Sequence, residues 1–312
     1  MRRSFPLMAT ALAAACGGSA STEVPAQVTD NTPVVRTRLD VHYAEQSAAQ
    51  RLDLYLPASG DGPFPLVVWI HGGGFSGGSK SLDAAASARR MVDRGFAVAS
   101  LEYRLSGEAK FPAAVLDLKA AVRHLRANAA LYHVATARVG AWGSSAGGHL
   151  AAFLGVTGGV ADFEDASLGN AAQSSRIQAV VDWYGPSDLM QMDADGAVQG
   201  CPRFGGTGHD DASSPEGLWL GAKPSSVSAL TMRASPVSWV SADDPPFIVQ
   251  HGGVDCTVPT NQGRRMRDAL MATLGAAQVS WSEFPTDGHG GPSFGAAANL
   301  DAIAAFFNRT LR

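Results

Sequence analysis

Five short stretches of this chain are almost wholly apolar: Leu66–Ile70, Ala97–Leu101, Val139–Trp142, Ile177–Trp183 and Phe247–His251. Runs of that length bounded by turn residues fit strands buried on both faces, as in a parallel sheet covered by helices. Helical patterns lie between them. The clearest runs from Pro112 to Asn128, with Val115, Leu118, Val122 and Leu125 on one stripe and a proline at its start. Others span Leu82 to Arg94 and Asn261 to Leu274, and a strand at Val279–Phe284 precedes a closing helix at Ala296–Arg309. Val34–Val41 and Arg51–Leu56 alternate with period two, which predicts opening strands with one wet face. The order implies an α/β class with a mostly parallel central sheet and helices on both faces. Residues 186–238 break the rhythm, being rich in Gly, Ser, Asp and Pro. They read as an insertion over the sheet, before the strand that starts at Phe247, and not as a second domain. The 312 residues exceed the usual single-domain length, but α/β units of about 250–300 residues commonly remain one unit, here residues 34–312.

Composition excludes several classes. Hydrophobic residues make up 46%, enough for a large core, so a disordered chain is excluded. The 24 Lys plus Arg against 28 Asp plus Glu give a net charge of −4, with no basic run to hold nucleic acid. No apolar run reaches about 18 residues, which excludes a polytopic membrane protein.

The first residues read as an address. Arg2 and Arg3 precede an apolar Phe5–Ala15, too short to span a bilayer, and residues 1–15 therefore form a predicted signal peptide. Ala13, Ala14 and Ala15 lead to Cys16, followed by Gly17, so the end of the signal is similar to a bacterial lipobox with Cys16 as the lipidated residue. An ordinary cleaved signal is the alternative. Residues 16–33 read as a tether, and the expected location is outside the cytoplasm: an outer-membrane lipoprotein, or a periplasmic or secreted protein. Membrane contact is expected only through the lipid. Export permits disulfides, and Cys201 and Cys256 are then the available pair, either bridged or left as two buried thiols.

One motif carries the chemistry. Gly143-Ser144-Ser145-Ala146-Gly147 fits G-x-S-x-G, with a strand before it and a helix after it. A serine on that sharp turn projects its hydroxyl above the sheet, and the Ala146 amide at the helix start faces the same spot. About seventy residues upstream, His71-Gly72-Gly73-Gly74-Phe75 follows a strand. Its bare glycines let backbone N–H groups approach an oxyanion, so Gly73 and Gly74 are the candidate donors beside Ala146, with His71 orienting the loop. A competing reading exists, because Gly72, Gly74 and Gly77 also spell G-x-G-x-x-G and Glu102 ends the next strand, as in a dinucleotide site. It leaves Ser145 and everything downstream unexplained.

A serine nucleophile needs a base, and the base an orienting acid, in the chain order Ser, Asp or Glu, His. Asp255 follows a late strand and His289 follows the last one, in Asp287-Gly288-His289-Gly290-Gly291. Asp287 and Asp243 are the runner-up acids. His149, four residues after Ser145, reads as a packed helix residue, and His251 as a buttress of the acid loop. The Asp193/Asp195 and His209/Asp210/Asp211 clusters read as solvated loop charges, so no metal and no cofactor is expected.

Together with Tyr103-Arg104-Leu105-Ser106, Phe111-Pro112-Ala113-Ala114 and Gly143–Ala151, these motifs resemble the serine esterases of the α/β-hydrolase superfamily. The nearest branch in pattern holds bacterial feruloyl and acetylxylan esterase-like proteins, near the hormone-sensitive-lipase-like esterases. Ser144 stands where the latter usually carry Asp, and the N-terminal region is too short for their helical cap. The resemblance implies an α/β-hydrolase fold and a cofactor-free carboxylesterase using Ser145, His289 and Asp255 on short-chain, acetyl or feruloyl esters, free or linked to polysaccharide. An arylformamidase acting on a formyl amide and a non-catalytic binding module on the same fold are the alternatives. Phe204, Leu218, Trp219 and Met232 of the insertion are candidates to line the cleft.

Overall fold

A computed structural model describes residues 36–81 and 86–312. The expected signal peptide, Cys16, the tether and the start of the helix expected from Leu82 lie outside the described residues. Eight strands form one sheet: β1 (Arg36–His42), β2 (Arg51–Leu56), β3 (Phe64–Ile70), β4 (Ala97–Leu101), β5 (Val134–Ser144), β6 (Ala179–Trp183), β7 (Phe247–Gly252) and β8 (Val279–Phe284). Their order is β1-β2-β4-β3-β5-β6-β7-β8. β1 pairs antiparallel with β2 and β2 with β4, and every pairing from β4 to β8 is parallel. This is the α/β-hydrolase fold that the motifs imply.

The helices are α1 (Ala86–Val92), α2 (Ala113–Ala127), a single turn α3 (Ala129–Tyr132), α4 (Ala146–Val156), α5 (Met192–Gln199), α6 (Pro215–Leu220), α7 (Ser228–Arg233), α8 (Asn261–Leu274) and α9 (Ala297–Leu311). One face of the sheet packs against α2, α4 and α8 through residues such as Leu118, Phe153 and Met266. The other packs against α1 and α9 through Met91, Ile303 and Phe307. All eleven residues of α4 are buried. A helix apolar all round has no solvent stripe and belongs inside, which is where the residue after Ser145 starts it.

The opening strands differ from expectation. β1 is exposed along nearly its whole length, whereas Leu52–Leu56 of β2 are buried. Period two separates the two faces of a strand, but position decides which faces are wet. β1 is the sheet edge, and β2 lies one strand in, covered on both sides. Asp53, which gives β2 its polar alternation, is buried with Lys80 Nζ at 2.9 Å. The insertion is also more ordered than its composition suggested, for α5, α6 and α7 all lie within it.

Candidate active site

Every residue of the candidate site sits beyond the C-terminal end of a parallel strand, where strand ends and helix starts converge. Ser145 joins β5 to α4 with φ 57° and ψ −125°, a conformation that L-residues seldom adopt. The turn is tight on both sides. A Cβ on Gly143 would lie 2.1 Å from the Gly147 carbonyl oxygen, and one on Gly147 would lie 2.1 Å from that of Ile70. Glycine at both positions is therefore a packing requirement. The Ser145 N–H donates to Trp183 O at 2.9 Å, tying the elbow to β6.

His289 lies in the loop after β8 and Asp255 in the loop after β7. Ser145 Oγ is 2.8 Å from His289 Nε2, and His289 Nδ1 is 2.7 Å from Asp255 Oδ2. With Nδ1–H donating to the carboxylate, Nε2 is left to accept the serine proton. Asp255 is fully buried, and its Oδ1 accepts the backbone N–H of Thr257 at 2.9 Å and of Val258 at 3.0 Å. Burial works to raise its carboxyl, but hydrogen bonds and charge from His251 and His289 hold it well below the ordinary carboxylate range. The three residues that the order Ser, Asp, His selects thus form one relay. The runner-up acids are committed elsewhere. Asp287 Oδ2 accepts the Ser293 N–H at 2.9 Å and so shapes the histidine loop, while Asp243 pairs with Arg176 at 2.7 Å on the surface.

The glycine loop after β3 faces the serine. Gly73 and Gly74 have φ of 116° and 58°, which glycine adopts without strain. Among the described residues, no acceptor takes the N–H groups of Gly73, Gly74 or Ala146, and all three residues line the same cavity as Ser145 and His289. His71 stacks on Tyr103 with ring centroids 4.5 Å apart, and its Nε2 is 3.1 Å from Glu102 Oε1. The Tyr103 hydroxyl donates to His71 O at 2.9 Å. Glu102 also accepts the Lys80 N–H at 3.1 Å, so the acid that a dinucleotide site would need instead braces the loop.

Some functional neighbours escaped the sequence reading. Tyr184, at φ 44°, places its ring edge-on to His289 with centroids 4.7 Å apart. Its signal was position alone, immediately after β6. His251 is fully buried, with Nε2 2.9 Å from Val258 O and 3.4 Å from Asp255 Oδ2, which is the buttress expected of it. Asp182, also buried, accepts the Gly185 N–H at 2.9 Å, and burial raises its carboxyl to about 7. His149 packs inside α4 with Nδ1 2.8 Å from Pro186 O, and burial pulls it down to about 4.

Cys201 and Cys256 form a disulfide with Cα atoms 5.4 Å apart, joining the segment after α5 to the residue following Asp255. Gln199 adds two bonds across the same seam, from its Nε2 to Asp255 O at 2.8 Å and from Thr260 N to its Oε1 at 2.9 Å. The cavity beside the serine holds about 400 Å³. Of the four apolar residues expected to line it, only Phe204 does. Trp219 is buried against Phe75, ring centroids 4.2 Å apart, while Leu218 and Met232 are exposed. Helix phase explains the difference, since α6 turns Trp219 inward and leaves Leu218 outward. Two of the insertion's acids, Asp193 and Asp195, are held within the protein, while Asp210 and Asp211 stay at the surface as solvated charges. Asp193 accepts the backbone N–H groups of His209 and Asp210, and Asp195 pairs with Arg265 at 2.7 Å. Among the described residues, no group of three His, Cys, Asp or Glu side chains is placed to hold a metal ion, and no helix is long and apolar enough to cross a membrane.

The BD-FAE family model matches residues 52–270. Esterase LipC of Mycobacterium tuberculosis H37Rv is 30% identical over 264 residues, covering 80% of this chain and 59% of LipC. The chain spans half to three fifths of the length of the curated relatives it matches first. Among solved structures, a truncated carbohydrate esterase from gut microbiota is 31% identical with a TM-score of 0.79, covering 88% of this chain and 95% of that one. A bifunctional GH43-CE protein of Bacteroides eggerthii is 32% identical with a TM-score of 0.77, over 88% of this chain and 38% of its own.

Proposed function

This chain belongs to the BD-FAE family, and from that premise we propose that it is an exported serine carboxylic-ester hydrolase acting on short-chain, acetyl or feruloyl esters, including those linked to polysaccharide. The observation that carries this reading is the unbroken relay from Ser145 through His289 to buried Asp255 at the wall of an open cavity. Its relatives, an esterase and a carbohydrate esterase, favour the same chemistry.

Ser145 Oγ attacks the ester carbonyl carbon while its proton passes to His289 Nε2, and Asp255 stabilises the imidazolium that forms. The carbonyl oxygen becomes an oxyanion held by the amides of Ala146 and of Gly73 or Gly74, each donor worth about 3 kcal/mol. His289 then gives its proton to the departing alcohol. A water, deprotonated by the same histidine, cleaves the acyl-enzyme and restores Ser145.

The test is hydrolysis of p-nitrophenyl acetate, butyrate and palmitate, methyl ferulate, acetylated xylan and N-formylkynurenine by the wild type and by Ser145→Ala. Turnover of short or feruloyl esters that drops about 10⁴-fold or more in the variant is expected. Equal rates in the two proteins, or no turnover of any ester, would overturn the proposal.

A further inference from the structure

The cavity wall facing the relay contains a second buried histidine–carboxylate pair, which the ester chemistry does not use. His209 and Glu216, 4% and 3% exposed, line the cavity with Ser145, and His209 Nδ1 lies 3.0 Å from Glu216 Oε2. The pair is fixed from several directions. Asp193 Oδ1 accepts the His209 N–H at 2.7 Å, Ser214 Oγ donates to His209 O at 2.7 Å, and the Phe204 ring stacks on the imidazole with centroids 4.6 Å apart. Glu216 lies in the first turn of α6, next to Pro215, and a Cβ on Gly74 would lie 3.2 Å from Pro215 Cβ. The Phe75–Trp219 stack locks α6 to the same glycine loop. The carboxylate is thereby held close to the candidate oxyanion donors.

Burying an ion pair stabilises a fold little, and those of its atoms that open into a cavity can bond what enters it. Here the pairing stops halfway. With Nδ1–H donating to Oε2, His209 Nε2 and Glu216 Oε1 have no hydrogen-bond partner among the described residues. The remaining atoms are two preorganised acceptors in a largely apolar wall, the arrangement that selects a ligand by its hydroxyl hydrogens.

We propose that His209 and Glu216 form a hydroxyl-recognition subsite that makes the enzyme selective for esters carrying a neutral hydroxyl, on a sugar alcohol or on a phenolic acyl group. This deepens the ester-hydrolase reading and rests on it. A site built to bond a hydroxyl discriminates strongly against the analogue lacking it, because its buried polar atoms are then left unpaired.

The experiment compares kcat/KM on two substrate pairs, an acetylated xylo-oligosaccharide against p-nitrophenyl acetate, which carries no sugar hydroxyl, and methyl ferulate against methyl 3,4-dimethoxycinnamate, which differs only in the methylated phenol. The proteins are wild type, Glu216→Gln, which keeps the shape, and the double variant H209F/E216L, which removes both polar partners together and leaves no orphaned charge. Thermal melts establish that each is folded. In the double variant we expect the ratio for at least one pair to fall about 10- to 100-fold, with a smaller fall in Glu216→Gln. A fall in the sugar pair places the hydroxyl on the alcohol, and a fall in the ferulate pair places it on the acyl group. Ratios within about twofold of wild type for both pairs in the folded double variant would overturn the subsite while leaving the ester-hydrolase reading intact. A wild type inactive on all four esters would overturn both.

Discussion

The half of the site that carries Ser145 and the half that carries Asp255 are built from different materials. The serine half is backbone and core: a strand, a strained turn squeezed between glycines, and a helix with no exposed residue. The acid half is a loop after β7 that the insertion clamps through the Cys201–Cys256 disulfide and both ends of the Gln199 amide. The first half is defined by close packing of backbone against the neighbouring strands and the second by cross-links spanning about fifty residues of chain. A tight turn fails when volume is added, whereas a clamped loop fails when a tie is cut.

That contrast can be broken from either side. Cutting the disulfide with Cys256→Ser removes a bridge between residues separated by 55 positions, which loop entropy values at about 4 kcal/mol. We expect a lower Tm, and a larger loss of kcat than of substrate binding, because Asp255 is next in sequence. Unchanged melting and activity in the variant, or in the wild type under reductant, would show that the clamp is idle. On the serine side, Gly147→Ala brings a methyl group against the Ile70 carbonyl oxygen, at a cost of about 3 kcal/mol. Activity should fall together with stability, and wild-type activity with only a small shift in Tm would mean the elbow is looser than its geometry implies.

A smaller cut sharpens the picture. Gln199→Ala loses two partly exposed hydrogen bonds, worth about 1 kcal/mol together, and should lower Tm by about 2 °C while leaving the disulfide formed. A pH-dependent effect lies beneath the serine half, at Asp182. Its folded-state carboxyl titrates near 7 against an ordinary 3.8, so between those values the folded protein holds a proton that the unfolded chain has released. Stability contributed by this group therefore falls as pH rises from about 4 to about 7. Asp182→Asn keeps an acceptor for the Gly185 N–H, and its Tm should gain on that of the wild type across that window. A difference in Tm that does not change with pH would count against a buried protonated carboxyl.

Much of the serine half was legible in the sequence for the same reason that it is robust. The strand, G-x-S-x-G and the following helix are contiguous, and β4, β2, β8 and α8 fall within the boundaries that periodicity set. Asp255 and His289 were legible because chain order after late strands restricts the choice. Tyr184 and the His209–Glu216 pair were not. Tyr184 meets His289 only when β6 and β8 end at the same level, and nothing in Trp183-Tyr184-Gly185-Pro186 announces that contact. His209 and Glu216 sat in a polar segment whose charges look solvated until Asp193 and Phe204 are seen to hold the imidazole. The leaders at Phe204 and Trp219 illustrate the same limit, since residue type named both and packing separated them.

The sequence by itself determined the class of fold, the turn that carries Ser145 and which histidine and acid come to lie beside it, because each depends on a contiguous motif or on the order of elements along a parallel sheet. Tertiary structure alone decided which opening strand is wet, which cysteine geometry ties the insertion to Asp255, and which polar residues of that insertion turn inward to face the serine. Those outcomes depend on which surfaces meet across long loops, and burial is a property of the meeting rather than of the residue.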